Sequence, residues 1–376
     1  MRSISDTISR LAAARSAIRT HQPAGPDRLM EFAAFGSNPG ALVARSYIPP
    51  ALAAGAPMVV VLHGCTQTAA GYDHGAGWSR LADELGFAVL FPEQQRANNP
   101  NLCFNWFNPT DTRRDTGEAL SIRQMVAAMI DRHGLDQDRV YVTGLSAGGA
   151  MTSVMLATYP DVFAGGAVIA GLPYGTASSV PQAFDRMRAH GGPDADSLGD
   201  LVFAASDHAG RWPILSVWHG GSDATVSPIN ADLVVAQWRT LHGLDALPTS
   251  TEQAAGHTRR IWCDAQGRAL IEEHRIAGMG HGTPVSGSGP DACGVPGPYM
   301  IEAAVSSTRS IAAFWGLDHC GGAAPVKRTA PARRPDQLPA PLDRGRDQPK
   351  RAAPSPSVEG PARIIEDALR AAGLMR

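Results

Sequence analysis

Arg139-Val-Tyr-Val-Thr-Gly-Leu-Ser-Ala-Gly-Gly-Ala-Met151 runs from β-branched residues into Gly-x-Ser-x-Gly and then into small residues that open a helix. A strand, a sharp turn and a helix in that order lift the Ser146 side chain above a sheet edge, at the positive end of the following helix. Gly144 and Gly148 then serve the turn, because a Cβ at either would meet neighbouring backbone. A pattern with three fixed positions also arises by chance in a chain with 40 glycines. The strand before it and the helix after it separate the two readings. Ser146 is thus a candidate nucleophile, and such a serine needs a base, a group that orients the base, and N–H donors for developing negative charge.

Working outward, the runs Pro57-Met-Val-Val-Val-Leu-His-Gly64 and Phe87–Pro92 are continuously apolar, as strands buried on both faces are. Ala76–Gly86 has helical periodicity, and Gly117–Gly134 sets Ile122, Met125, Val126, Met129 and Ile130 on one helical face. Before them, Arg28–Phe35 and Ala41–Tyr47 suit an antiparallel edge. Beyond the serine, strands are predicted at Ala164–Ala170, Pro213–His219 and Ala269–Ile276, with helices at Ala231–Leu241 and Ile301–Phe314. Gly171–Arg211 is a Gly/Pro/Asp-studded insertion with a helix at Pro181–Ala189, placed to lie over the strand ends where ligands bind. The alternation predicts an α/β fold with a mostly parallel central sheet and helices on both faces.

This grammar occupies residues 29–320, the expected catalytic domain. Residues 1–28 read as a charged amphipathic helical leader without the uninterrupted apolar stretch of a secretory signal, which points to the cytoplasm. Residues 321–360, rich in Pro, Ala and Arg, read as a flexible linker, and 361–376 as an amphipathic helix suited to contact with a partner or granule. Lys and Arg number 33 against 35 Asp and Glu, so no basic field for nucleic acid exists, and no apolar run reaches membrane-spanning length. The five cysteines lack Cys-x-x-Cys pairs, so no zinc site is expected, and an odd count leaves at least one thiol unpaired within the chain. Neither metal nor cofactor is required by the chemistry Ser146 suggests.

In folds that carry this serine turn, the acid and then the base follow on loops after late strands. Asp223 lies after the run Pro213-Ile-Leu-Ser-Val-Trp-His219, and His281 lies in Gly278-Met-Gly-His-Gly-Thr-Pro284. Asp223 also suits the capping of a nearby helix, and His63 and His219 are rival bases, though their places at strand ends beside glycines favour structural roles. For the oxyanion, the Ala147 N–H is one donor and the turn His63-Gly-Cys-Thr-Gln-Thr68 would supply the other from Cys65. The Cys65 thiol as nucleophile is the weaker alternative, because no base motif accompanies it.

Leu62-His-Gly-Cys-Thr-Gln-Thr68, Tyr72-Asp-His-Gly-Ala-Gly-Trp78, Phe91-Pro-Glu-Gln94, Cys103-Phe-Asn-Trp-Phe107, the serine turn and Trp218-His-Gly-x-x-Asp223 together resemble the polyhydroxybutyrate depolymerase family of esterases. The similarity runs from about residue 42 to residue 317. It implies an α/β-hydrolase that cleaves short-chain poly(3-hydroxyalkanoate) esters, with feruloyl and acetylxylan esterases as relatives. It implies Ser146, Asp223 and His281 as the triad, Cys65 as oxyanion donor, Asn105 and Trp106 in the substrate cleft, and a bridge between Cys65 and Cys103 in an oxidising compartment. Secreted members imply an extracellular setting, which the charged leader does not match, so soluble oligomers rather than crystalline polymer are an open alternative. A non-catalytic binding protein is the remaining one, and a complete triad in order argues against it.

Overall fold

The computed structural model describes residues 27–289 and 292–318. The expectations for the leader up to residue 26, for the last two residues of the catalytic segment and for 321–376 lie outside the described residues. Twelve strands run in chain order as β1 Met30–Glu31, β2 Val43–Tyr47, β3 Met58–Leu62, β4 Ala88–Glu93, β5 Val140–Leu145, β6 Gly165–Ile169, β7 Ile214–Gly220, β8 Ser250–Ala254, β9 His257–Cys263, β10 Ala269–Ile276, β11 Thr283–Val285 and β12 Met300–Glu302. The helices are α1 Ala69–Ala76, α2 Trp78–Leu85, α3 Pro109–Thr112, α4 Gly117–His133, α5 Ala147–Thr158, α6 Val180–Met187, α7 Leu198–Phe203, α8 Ile229–His242 and α9 Ser307–Phe314.

Ten strands form one sheet in the order β1-β2-β4-β3-β5-β6-β7-β10-β9-β8. The six central strands pair parallel, while β1 and β2 at one edge and β9 and β8 at the other are antiparallel. The continuous apolar runs follow from burial on both faces. Met58, Val60 and Leu62 of β3 pack into a core with Met125, Val126, Met129, Val154 and Trp238. Val59 and Val61 point the other way, into a core with Tyr72, Trp78, Leu81 and Ile311. Alternation of side chains across the strand sends successive valines into different cores, so neither face tolerates a polar residue.

Three expectations are corrected in detail. Ala76–Gly86 is not one helix: α1 begins earlier, capped by Thr68, and ends at Gly77 (φ 79°), from which α2 starts. A Cβ at Gly77 would come 2.5 Å from the Gly294 nitrogen, so a distant segment packs against the junction and leaves room only for glycine there. Ile301–Phe314 begins as strand β12, paired parallel with β11, and becomes helix only after the Ser306 cap. Arg28–Phe35 contributes only the two residues of β1. The hairpin of β8 and β9, the short helices α3 and α7 and the strand β11 carry no strong periodicity and were not anticipated.

Candidate active site

Ser146 occupies the turn between β5 and α5 with φ 57° and ψ −116°, a conformation an L-residue holds at a cost of about 1–3 kcal/mol when its surroundings insist on it. The surroundings do insist. The Ser146 N–H donates to the Ile169 carbonyl at 2.9 Å and the Ser146 carbonyl accepts from Ala150 N at 2.8 Å, so the residue is tied to β6 and to the first turn of α5. A Cβ on Gly148 would lie 2.3 Å from the Leu62 oxygen, and one on Gly144 would lie 2.5 Å from the Gly148 carbonyl carbon. Helix α5 is buried along all twelve residues, which fixes the direction of its N-terminus beneath the serine.

The other residues arrive from loops at the same end of the sheet. After β7, the Gly221 N–H donates to Ile276 O and the Ser222 N–H to Met279 O, at 2.8 and 2.9 Å. These bonds lash the Asp223 turn to the loop that carries His281. The Asp223 Oδ1 accepts the Thr225 and Val226 N–H groups at 2.8 and 2.9 Å, and the Oδ2 lies 2.7 Å from the His281 Nδ1. Asp223 thus caps its own turn with one oxygen and meets the histidine with the other. Burial pushes its carboxyl up, and hydrogen bonds from His219 and His281 more than offset it, so Asp223 is held well below the usual carboxylate range. A carboxylate at Nδ1 places the proton there and leaves the His281 Nε2 as an acceptor.

His281 and Ser146 line one cleft. Its far wall is Val180, Ala183, Phe184 and Met187 of α6, the helix in the insertion, which Ser179 caps. Trp106 and Phe107 form the near wall and Tyr299 flanks His281 edge-on, with ring centroids 6.4 Å apart. Among the described residues no Asp, Glu, Lys or Arg lines the cleft.

The turn after β3 uses its N–H groups unequally. Gly64 N donates to the Gln67 Oε1 at 2.8 Å, Thr66 N to Asn101 O at 2.7 Å and Gln67 N to Gly64 O at 3.3 Å. Among the described residues, neither the Cys65 N–H nor the Ala147 N–H meets a protein acceptor. Cys65 and Cys103 are joined by a disulfide with Cα atoms 4.3 Å apart, so the Cys65 sulfur is not a free thiol and the turn is tethered to the near wall.

Two rival bases have other occupations. The His63 Nδ1 lies 2.8 Å from Gly64 O while its Nε2 accepts Gln94 N at 3.1 Å, so the ring joins the ends of β3 and β4. His219 is buried, with its Nε2 2.9 Å from Val226 O, and does not line the cleft. Trp106 lines the cleft as expected from the resemblance. Asn105 stands behind the wall instead: its backbone N–H and its Nδ2 donate to the two oxygens of Glu118 at 2.9 and 2.8 Å. Glu118 also accepts from the Gln94 Nε2 at 2.6 Å, and burial together with the nearby Asp111 pushes its carboxyl up to about 8. Sequence reasoning missed Phe107, Phe184, Met187 and Tyr299. The helical spacing of Val180, Ala183, Phe184 and Met187 was the one signal that could have shown a shared face.

A parallel-centred sheet with helices on both faces, a strained serine at the strand-to-helix turn, and Asp and His on the later loops define an α/β-hydrolase of the serine-esterase type. The model of the family described as esterase PHB depolymerase matches residues 42–262, and the chain belongs to that family. The poly(3-hydroxyalkanoate) depolymerase C of Paucimonas lemoignei is 47% identical over 291 residues, which are 77% of this chain and 70% of that one. Feruloyl esterase B of Thermothelomyces thermophilus is 32% identical over 266 residues, 69% of this chain and 89% of that one. Among solved structures, an acetyl xylan esterase from Aspergillus awamori superposes with a TM-score of 0.65 at 25% identity, covering 77% of this chain and 99% of that one. The chain is a hydrolase of ester bonds.

Proposed function

We propose that this esterase cleaves short-chain poly(3-hydroxyalkanoate), poly(3-hydroxybutyrate) or its oligomers, through an acyl-enzyme on Ser146. The Ser146 Oγ attacks the ester carbonyl as the His281 Nε2 takes its proton. The tetrahedral oxyanion is held by the Cys65 and Ala147 N–H groups, and Asp223 keeps the imidazole in one tautomer and stabilises its cation. As the carbonyl re-forms, the ester C–O bond breaks and His281 gives its proton to the leaving alkoxide, releasing a shortened chain with a free hydroxyl. Water then repeats the sequence on the acyl-enzyme, giving the hydroxy acid and free Ser146. The proton ends on the alcohol in the first half and is replaced from water in the second, so no metal, oxidant or cofactor enters.

The observation that carries the reading is the apolar pair of walls about Ser146, Trp106 and Phe107 on one side and Val180, Ala183, Phe184 and Met187 on the other, with no Asp, Glu, Lys or Arg among the described residues of the lining, which suits an uncharged chain of short aliphatic ester units. The relative at 47% identity, itself named a poly(3-hydroxyalkanoate) depolymerase, supports the same substrate class. The acetyl xylan esterase likeness supports a carbohydrate ester as the second reading. Product analysis decides between them: release of 3-hydroxybutyrate oligomers from amorphous poly(3-hydroxybutyrate), with little acetate or ferulate from substituted xylan, is expected. The reverse preference would overturn the polyester assignment. Covalent capture of Ser146 by a fluorophosphonate, lost in Ser146→Ala, is the expected mark of the mechanism.

A further inference from the structure

His219 is a polar ring placed where an aliphatic residue would pack. It lies in β7 with 1% of its surface exposed. Its Nε2 faces two oxygens, Val226 O at 2.9 Å and the Asp223 Oδ2 at 3.3 Å. Two acceptors around one nitrogen place the hydrogen on Nε2. The Nδ1 is then an acceptor, and among the described residues it is buried without a hydrogen-bond partner. An unpaired buried nitrogen is a standing cost, so the ring must return something an aliphatic side chain could not.

What it supplies is a shared donor: the Nε2–H that reaches Val226 O at 2.9 Å also lies 3.3 Å from the Asp223 Oδ2. The Asp223 Oδ1 is saturated by the Thr225 and Val226 N–H groups. The Oδ2 would otherwise have the His281 Nδ1 alone. We infer that His219 is a positioning residue of the hydrolytic site, whose Nε2–H fixes Asp223 in one rotamer and keeps it ionised while His281 gains and loses its proton. The inference rests on the triad reading above. A second donor lowers the proton affinity of Asp223, so that when His281 is doubly protonated its Nδ1 hydrogen stays on the ring and the Nε2 hydrogen goes to the leaving group. The depressed carboxyl of Asp223 agrees with this, His219 being the foremost of the hydrogen bonds that lower it. Asp223, His219 and His281 are the titratable groups that meet here, with Tyr299 packed edge-on against His281. His219 is not among the residues that line the cleft, so it acts through the turn that carries Asp223 and Val226.

The test is the pH profile of kcat/KM on a short soluble ester for the full chain and for His219→Leu, His219→Gln and His219→Asn, with unfolding curves to establish that each is folded. In His219→Leu the donor is gone. kcat should fall about tenfold to a hundredfold with KM little changed, because a charge-assisted hydrogen bond is lost. The acid limb of the profile should move to higher pH as Asp223 concentrates its charge on a single partner. The Gln amide nitrogen reaches the place of the imidazole Nε2 and should restore both, while Asn is too short and should not. Should His219→Leu fail to fold, the Gln and Asn pair decides alone. A folded Leu variant with unmoved kcat and acid limb, or Gln no better than Asn, would overturn the inference and leave the ring as core filling. Asp223→Asn measured alongside separates the two levels: if it retains turnover the triad reading itself falls, whereas a severe Asp223→Asn beside a silent His219→Leu removes this inference alone.

Discussion

Ser146 keeps a backbone conformation that glycine would hold without strain, and in the proposed mechanism the Oγ is what a glycine there could not supply. Ser146→Ala should therefore abolish ester hydrolysis and fluorophosphonate capture while leaving the unfolding midpoint close to that of the parent. Asp223→Asn keeps the shape of the turn but offers an N–H where the His281 Nδ1–H needs an acceptor, so turnover should drop on the order of 10⁴-fold. Near-native turnover in that variant would mean another acceptor orients His281. Glu118 shows a different residue-scale effect. Its carboxyl is pushed up to about 8 from an ordinary 4.5, so the native state holds a proton that the unfolded chain has already released. Its contribution to stability is fully present below about pH 4.5 and is lost as pH rises through about 8. Denaturant unfolding across that interval should show a decline on the order of a few kcal/mol that Glu118→Gln flattens. An equal decline in the variant would assign the pH dependence elsewhere.

At the scale of elements, the site is a meeting of one rigid turn, two tethered loops and a helix laid over them. The disulfide joins the turn that offers the Cys65 N–H to the strip that carries Trp106, closing a loop with a sequence separation of 38. Replacing both cysteines by serine should lower stability by about 4 kcal/mol at most on chain-entropy grounds. It should also depress kcat more than KM, since the backbone donor survives but its placement loosens. A double variant with parental kcat would show that hydrogen bonds such as Thr66 N to Asn101 O hold the turn unaided. Helix α6 acts on binding rather than on chemistry. Phe184 lines the cleft from it, so Phe184→Ala should raise KM for a hydrophobic ester by about threefold to tenfold, through lost apolar contact, with kcat nearly unchanged.

For the whole molecule, every residue assigned a part in hydrolysis lies between His63 and Tyr299, and the sheet that holds them is complete by β10. Truncation after Asp318 should thus leave the turnover of a small soluble ester unchanged. Comparing the truncated and full chains on amorphous polymer granules then isolates whatever the last residues contribute to solid substrate. Loss of small-ester turnover in a folded truncated protein would show that the tail takes part in holding the catalytic unit together. Among the described residues no helix is long and apolar enough to cross a membrane.

The chain by itself determined what depends on local pattern. Valine runs buried on both faces announced the central strands, and the glycines around Ser146 announced a turn that only a Cβ-free residue can make. The order Ser146, Asp223, His281 announced that three distant loops converge, because strand ends in a parallel sheet share one side. Tertiary structure decided what depends on close approach between segments far apart in sequence. The junction at Gly77 admits only glycine because Gly294 packs against it, and the start of the last helix is displaced because Met300–Glu302 finds a strand partner in Thr283–Val285. Asn105, placed by resemblance in the cleft, is turned onto Glu118. The same holds for the cleft itself. The apolar face of Val180–Met187 is indistinguishable from a core face until the fold places it opposite Trp106 and over Ser146, since periodicity records that a face is covered and not what covers it.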